Sequence, residues 1–117
     1  MSDLITYSEL QPWFDNESFV LKTQQQIAKD FAKFNLLFGE DFEVTALKKD
    51  LIESMIAERV ADLMKEGETR LLQLLYTIDL PEKEFLSLTT HSDFLQELSS
   101  KILFREAYKV FLRSKFS

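Results

Sequence analysis

The stretch LLQLLYTIDLPEKEF at residues 71–85 decides between a sheet and a helical fold. Its apolar side chains recur at i, i+3, i+4 and i+7, which places them on one face of a helix, whereas a half-buried strand would alternate apolar and polar residues. We therefore predict a helix over this segment. The residues that form its face are Leu71, Leu74, Leu75 and Ile78, with Leu72 and Tyr76 widening it.

The same stretch also predicts why that helix ends. Asp79-Leu80-Pro81-Glu82 is typical of a helix start, with Asp79 as the N-cap, proline tolerated in the first turn and Glu82 reaching back as in a capping box. A further helix should begin here, with Phe85 and Leu88 as its buried residues.

Helical patterns cover the rest of the chain, whose two glycines and two prolines are too few for the many tight turns of an all-β fold. Gln24 lies on the apolar stripe of one predicted helix and would need a hydrogen-bond partner if it were buried. The other predicted helices are 16–38 (capped by Asp15 or Asn16, ending near Gly39), 45–66 (capped by Thr45) and about 90–115 (opening near Thr90 or Ser92), with a short helix capped by Ser2 and carrying Leu4, Tyr7 and Leu10 before a turn at Pro12.

Gly67 allows two interpretations. Apolar residues keep a continuous helical spacing from Ile52 to Ile78, which would suit one long helix. Against this, a glycine inside a helix costs about 1 kcal/mol relative to alanine, and the surrounding residues 65–69 are polar, as in a connector. We favour a break at Gly67.

These patterns predict an all-α protein, a small compact helical bundle of four to six helices with no sheet. The 117 residues of the chain are the usual size of one domain. We expect a single helical domain over 1–117, with 1–14 as a short helix or arm.

Composition limits the classes of function. The absence of cysteine excludes disulfides, thiolate nucleophiles and Cys-based metal sites. A net charge of −6 repels the phosphate backbone of nucleic acids over most of the surface. No apolar run approaches the roughly 20 residues of a membrane-spanning helix, and the N-terminus lacks the pattern of a secretory signal. We expect a soluble cytoplasmic protein that binds neither nucleic acid nor membrane.

The sequence contains no recognisable catalytic, metal-binding or cofactor-binding pattern. His91 is the only histidine, which rules out paired-histidine metal motifs; we interpret it as a solvated turn residue. The acidic residues of 39–43 lack the alternation of a calcium-binding loop. We assign no catalytic residue, metal or cofactor, since Glu58, Asp62 and Tyr108 qualify by chemical type alone.

Two charged stripes are the most informative polar pattern. The simplest interpretation is two solvated faces, because exposed ion pairs contribute only about 0–1 kcal/mol. Alternatively the stripes pair with each other, within one chain or between two copies, or the basic stripe binds an anionic partner against the overall negative charge. The basic stripe is Lys101, Arg105, Lys109 and Arg113, and the acidic stripe is Glu58, Asp62 and Glu66.

The apolar residues of the last predicted helix change sides about halfway along it. A small chain has a high surface-to-volume ratio, so we expect part of this surface to meet another molecule. The leading hypothesis is a protein–protein interaction or homo-oligomerisation module, most simply a homodimer. Its candidate interface comprises Leu95, Leu98, Ile102, Phe104, Tyr108, Phe111 and the two charged stripes.

The alternative hypothesis is a helical bundle that holds a small apolar ligand, because pockets between helices are common ligand sites. The aromatic content of the chain motivates this hypothesis. The expected lining residues are Phe31, Phe34, Phe38, Tyr76 and Phe104.

Overall fold

Helices account for nearly all regular structure in the computed structural model, which describes residues 6–116. No strand occurs among these residues, so the prediction of a small all-α bundle is confirmed. The predicted cap Ser2 and Leu4 lie outside the described residues. In chain order the helices are α1 Tyr7–Leu10, α2 Glu17–Ala32, α3 Lys49–Met64, α4 Glu68–Thr77, α5 Glu82–Leu88 and α6 Phe94–Phe116, with 3₁₀ turns at Gln11–Asp15 and Glu40–Glu43.

Helix α2 begins where the sequence predicts but ends earlier. Asn16 is its N-cap, and its Oδ1 accepts a hydrogen bond from the Phe19 backbone N–H at 3.0 Å. The predicted end near Gly39 is wrong, because α2 stops at Ala32. Asn35 then takes a left-handed conformation with φ of 61°, which closes the helix and brings the following Leu36 into the core.

Gln24 explains why α3 begins later than the sequence predicts. This buried amide donates to the backbone carbonyls of Phe42 and Thr45, both at 2.8 Å, and its Oε1 accepts from the Leu47 N–H at 2.8 Å. The backbone between Phe42 and Leu47 is therefore bonded to α2 rather than to a helix of its own. Thr45 is not a cap, and α3 starts at Lys49. The expectation that a buried Gln24 needs partners is confirmed.

The connection from α4 to α5 corrects a second predicted cap. Asp79 is left-handed, with φ of 63°, and Pro81 occupies the N-cap position of α5. Asp79 instead places its carboxylate 3.8 Å from Arg105 of α6. Phe85 and Leu88 are buried as predicted.

Gly67 separates α3 from α4, so the predicted break is confirmed. Its φ of 116° lies in a region that L-residues with a side chain rarely adopt. The continuous apolar spacing across Gly67 therefore belongs to two helices that bury their faces in the same core.

Helix α6 lies between two hydrophobic clusters. Leu98, Ile102 and Leu103 belong to the main core together with the buried faces of α2, α3, α4 and α5. Phe104, Ala107 and Val110 belong to a smaller cluster with Leu10 and Phe19, and Trp13 and Phe14 pack their rings against this cluster at centroid distances of 5.5 Å. The change of sides predicted for the last helix is real. Both sides are covered within a single chain.

None of the helices in the described part of the chain is long and apolar enough to span a membrane.

A basic groove between helices α2 and α6

The contact between α2 and α6 buries charged groups, unlike the apolar contact between α3 and α6. Asp30 of α2 is 3% exposed and Glu106 of α6 is 0% exposed. Lys109 Nζ lies 2.7 Å from Asp30 Oδ2 and 3.0 Å from Glu106 Oε1. Gln26 Nε2 also donates to Asp30 Oδ2, at 3.1 Å. One ammonium group therefore lies between two buried carboxyl groups.

This network extends from the interior to the protein surface. Arg113 Nη2 donates to Gln26 Oε1 at 2.6 Å. Arg113 lies one turn after Lys109 in α6, whereas Gln26 lies one turn before Asp30 in α2. The two helices are thus antiparallel at this contact, and a chain of polar contacts connects buried Glu106 to exposed Arg113.

The two carboxyl groups have opposite protonation states at neutral pH. Burial raises the pKa of Glu106 to about 9, and the hydrogen bond and negative charge of Asp30 act in the same direction. Burial also raises the pKa of Asp30, but hydrogen bonds with Glu106, Lys109 and Gln26 outweigh it, and the net pKa lies below the ordinary value of 3.8. Glu106 therefore carries a proton and Asp30 carries the charge.

Both side-chain oxygens of Glu106 are buried, and neither accepts a well-aligned hydrogen bond from the residues that the structure describes. A proton on Glu106 explains how such a group can be buried. A protonated Glu106 can donate to the Asp30 carboxylate, which provides the partner that buried polar atoms require. Burial lowers the pKa of Lys109, but its hydrogen bond to Asp30 and the neighbouring acids outweigh burial, and the net pKa is raised. Lys109 therefore stays charged, and Asp30 is its counter-ion.

A groove runs along the surface above this network. One part of it, here called the Lys22 end, has a volume of about 410 Å³. The other part, here called the Asp30 end, has a volume of about 680 Å³. Gln26, Lys29 and Arg113 line both parts, so the two form one continuous α2–α6 groove.

Positive charge is concentrated in this groove. Six of the 14 basic residues of the chain line it, against two aspartates, Asp30 and Asp79, which gives the groove a net charge of +4. In formal charges, with every carboxyl group counted as ionised, the whole chain carries −6 and the remainder therefore −10. The basic residues are Lys22, Lys29 and Lys33 of α2 and Arg105, Lys109 and Arg113 of α6.

Three members of the predicted basic stripe line this groove, and the fourth points elsewhere. Arg105 lies 3.8 Å from Asp79 and also donates to the Ile78 carbonyl at 3.4 Å. Lys101 pairs with Glu84 of α5 at 3.2 Å. The stripe is therefore partly used to hold α6 against its neighbours and is not a uniform solvated face.

The predicted acidic stripe forms ion pairs within its own part of the chain. Glu58 pairs with Arg59 at 2.9 Å, Asp62 with Lys65 at 3.6 Å and Glu66 with Arg70 at 3.4 Å. These short-range pairs replace the predicted pairing of the two stripes within one chain. The carboxylates of the acidic stripe remain mostly exposed, with side-chain exposures of 72%, 66% and 53%.

The apolar part of the predicted interface is largely interior. Leu98, Ile102 and Phe104 are buried in the chain's own clusters and are unavailable to a partner. These three residues therefore expose almost no surface, because α6 is covered on both sides by the other helices. Leu95, Tyr108 and Phe111 are half-buried beside the same clusters.

The aromatic residues proposed to line one ligand pocket are dispersed. Phe31 and Phe38 pack against each other at a centroid distance of 5.3 Å, and Phe38 stacks on Phe42 at 4.3 Å. Phe104 belongs to the smaller cluster, and Tyr76 is 71% exposed. The predicted lining of an apolar site is therefore wrong.

Sequence reasoning missed half of the groove. Lys22, Lys29 and Lys33 lie at i, i+7 and i+11, a spacing that places three basic residues on one face of α2 and could have revealed a second stripe. No comparable pattern marks Asp30 or Glu106 as buried, because each is one polar residue within an amphipathic helix.

The fold and the groove together define a small all-α protein with a basic groove between two antiparallel helices. No protein-family model, curated protein or solved structure matches this chain.

Proposed function

We propose that this protein is an interaction module that binds an acidic segment of a partner protein in the α2–α6 groove. The observation that carries the proposal is the net charge of +4 in one groove of a chain whose remainder carries −10. Charge segregated in this way attracts an anionic partner to one place and repels it elsewhere.

The groove cations differ in how far they are already neutralised. Lys22 and Lys29 are exposed and make no ion pair or hydrogen bond with any described residue. Lys33 is 3.8 Å from Asp30, a long contact for an ion pair. The groove therefore offers positive charge that the fold itself does not use.

The shape of the groove favours an elongated segment over a compact ion. Its cations recur along two antiparallel helices, and four residues of a helix correspond to a rise of about 6 Å. A helical segment with a carboxylate at every fourth position repeats at the same interval, so successive pairs stay in register. The large negative remainder disfavours a nucleic acid, whose charge extends far beyond the groove.

The test is the binding of a fluorescent synthetic helical peptide with Glu at every fourth position, followed by anisotropy. The same peptide with Gln in place of Glu is the control ligand. We expect binding of the Glu peptide only, and weaker binding as salt increases, because salt screens exposed charges.

Matched variants separate the groove from the net charge of the molecule. Lys22→Glu with Lys29→Glu reverses two groove cations, and Lys48→Glu with Lys83→Glu reverses two exposed lysines outside it. The groove variant should lose affinity by about tenfold or more, which corresponds to about 1.4 kcal/mol, and the control variant should change it little. Equal losses in both, or no binding by the unaltered protein, would contradict the proposal.

A second copy of the chain is one source of such an acidic segment, which keeps homodimer formation as a specific form of the proposal. The exposed carboxylates of Glu58, Asp62 and Glu66 recur at every fourth residue, which is the interval that the groove favours. Sedimentation equilibrium should then show self-association that the Lys22→Glu, Lys29→Glu variant loses. A strict monomer would restrict the proposal to a different partner protein.

A separate apolar groove supports a second candidate function, the binding of a small apolar molecule. This groove has a volume of about 340 Å³, within the usual range of ligand sites, and Glu68 is its one charged lining residue. Titration with benzyl alcohol should shift the NMR signal of the Met64 methyl group. Thr89→Trp, which fills the groove but keeps the Met64 methyl group, should abolish the effect. Leu51→Trp, at an exposed site elsewhere on α3, should not; an unshifted signal in the unaltered protein would exclude the site. The lining residues are Met64, Glu68, Leu71, Phe85, Thr89 and Phe94.

A further inference from the structure

The two ends of the α2–α6 groove differ in how their charge is balanced. At the Asp30 end, the cations that line only that part face two carboxylates, Asp30 and Asp79. The wall of the Lys22 end contains three cations and no acidic residue. The cations are Lys22, Lys29 and Arg113. The two ends therefore differ in that the cations of the Lys22 end have no carboxylate in their own wall, although Lys29 and Arg113 also line the Asp30 end.

The positions of these cations in the Lys22 end also allow them to bind one anionic group together. Lys22 and Lys29 are two helical turns apart on the same face of α2, which corresponds to a rise of about 10 Å. Lysine side chains are long enough to reach a ligand between these two positions from either side. Arg113 reaches the same cavity from α6, and its hydrogen bond to Gln26 holds the guanidinium in place. Ser114 adds a hydroxyl to the wall.

Such an arrangement suits a phosphate better than a carboxylate. A carboxylate contributes one negative charge and leaves two of the three cations unbalanced. A phosphate monoester carries about −1.5 to −2 at neutral pH and has three acceptor oxygens for Lys and Arg donors.

We propose that the Lys22 end is a phosphate-binding subsite, so that the preferred partner segment is phosphorylated at the residue placed there. This inference rests on the proposed function, because the Asp30 end would hold the neighbouring acidic residues of the same segment. Free inorganic phosphate offers the same chemistry, and the experiment includes it as a separate probe.

The experiment compares three versions of the acidic helical peptide, with Ser, Glu or phosphoserine at one central position. We expect the phosphoserine peptide to bind about tenfold more tightly than the Glu peptide, and inorganic phosphate to compete only at far higher concentration. Lys22→Gln should remove most of this preference, whereas Lys33→Gln, which lines only the Asp30 end, should weaken all three peptides alike.

The possible results separate the two proposals. Equal affinity for the Glu and phosphoserine peptides overturns the phosphate subsite and leaves the acidic-segment proposal standing. No binding of any peptide overturns both. Inorganic phosphate that binds as tightly as the phosphoserine peptide would identify the subsite with a free phosphate ligand and overturn the phosphorylated-segment assignment.

Discussion

The two long contacts of α6 differ in chemistry although they lie on the same helix. Against α3 it packs mainly apolar residues such as Ile102 and Leu98, which belong to the same core cluster as the fully buried Ile56. Against α2 it packs Glu106 and Lys109 around Asp30, with charged residues continuing into an open groove. The apolar contact buries its side chains in the main core. The polar contact costs desolvation energy, and its charged residues continue into the surface groove.

The difference also concerns what each contact can tolerate. In the apolar contact, the loss in free energy of unfolding should increase with the number of buried side-chain atoms that a substitution removes. In the polar contact, each buried charge is stabilised by an opposite charge. Removing one partner therefore leaves the other buried without a counter-charge. Substitutions on α6 should therefore separate the two contacts.

The largest effect is expected from Ile102→Ala in the apolar contact. Removing this fully buried side chain should lower the free energy of unfolding by about 2–5 kcal/mol, since the lost burial and the new cavity act together. Urea denaturation followed by circular dichroism measures it. Leu51→Ala, at an exposed position of α3, is the control and should change stability by about 0.5 kcal/mol or less; similar losses in both would show that α6 is not packed as described.

A somewhat smaller loss is expected from Lys109→Met in the polar contact. This change leaves the Asp30 carboxylate buried without its ammonium partner, and we expect a loss of about 2–3 kcal/mol in the free energy of unfolding. Adding Asp30→Asn should restore part of the loss, which a double-mutant cycle measures. Additive losses would mean that the two residues do not interact.

The protonation of Glu106 predicts an unusual dependence of stability on pH. Its pKa is about 9 in the folded protein against an ordinary value of 4.5, so between these values the folded chain holds a proton that the unfolded chain releases. This contribution to stability is fully present below about pH 4.5 and is lost as pH rises towards 9. Asp30 has a lowered pKa, so its contribution to stability has the opposite pH dependence. That contribution is present at neutral pH and is lost as pH falls into the acid range.

Glu106→Gln tests this directly, because glutamine resembles the protonated acid. The variant should be more stable than the unaltered protein at pH 8, by roughly 2 kcal/mol, and the difference should shrink towards pH 5. Denaturation midpoints across this range provide the measurement. A difference that does not vary with pH would show that Glu106 is ionised in the folded protein.

The smallest effect is expected at Gly67, which lies outside both contacts of α6. Its φ of 116° is strained for any residue with a side chain, so Gly67→Ala should lower stability by about 1 kcal/mol, although an added Cβ meets nothing within 4 Å. A continuous helix would instead gain about that amount from alanine. The sign of the change in thermal midpoint therefore distinguishes a break from a continuous helix.

The sequence was sufficient to predict the all-α class, the helical faces of residues 71–78 and the break at Gly67, because each depends on residues within a few turns of one another. Asn16 was recognisable as a cap for the same reason. The predicted start of α3 was wrong because it depends on a contact between residues far apart in the sequence. Gln24 of α2 forms hydrogen bonds with the backbone of residues 42–47, and α3 begins only at Lys49.

What the tertiary structure alone decided is the partner of each charge. Asp30 and Lys109 are 79 positions apart, and neither residue type nor spacing indicates that they meet. Periodicity identifies the face on which a residue lies, but the packing of whole helices determines what that face contacts. The basic stripe, its second wall on α2 and the groove between them therefore exist only in the folded chain.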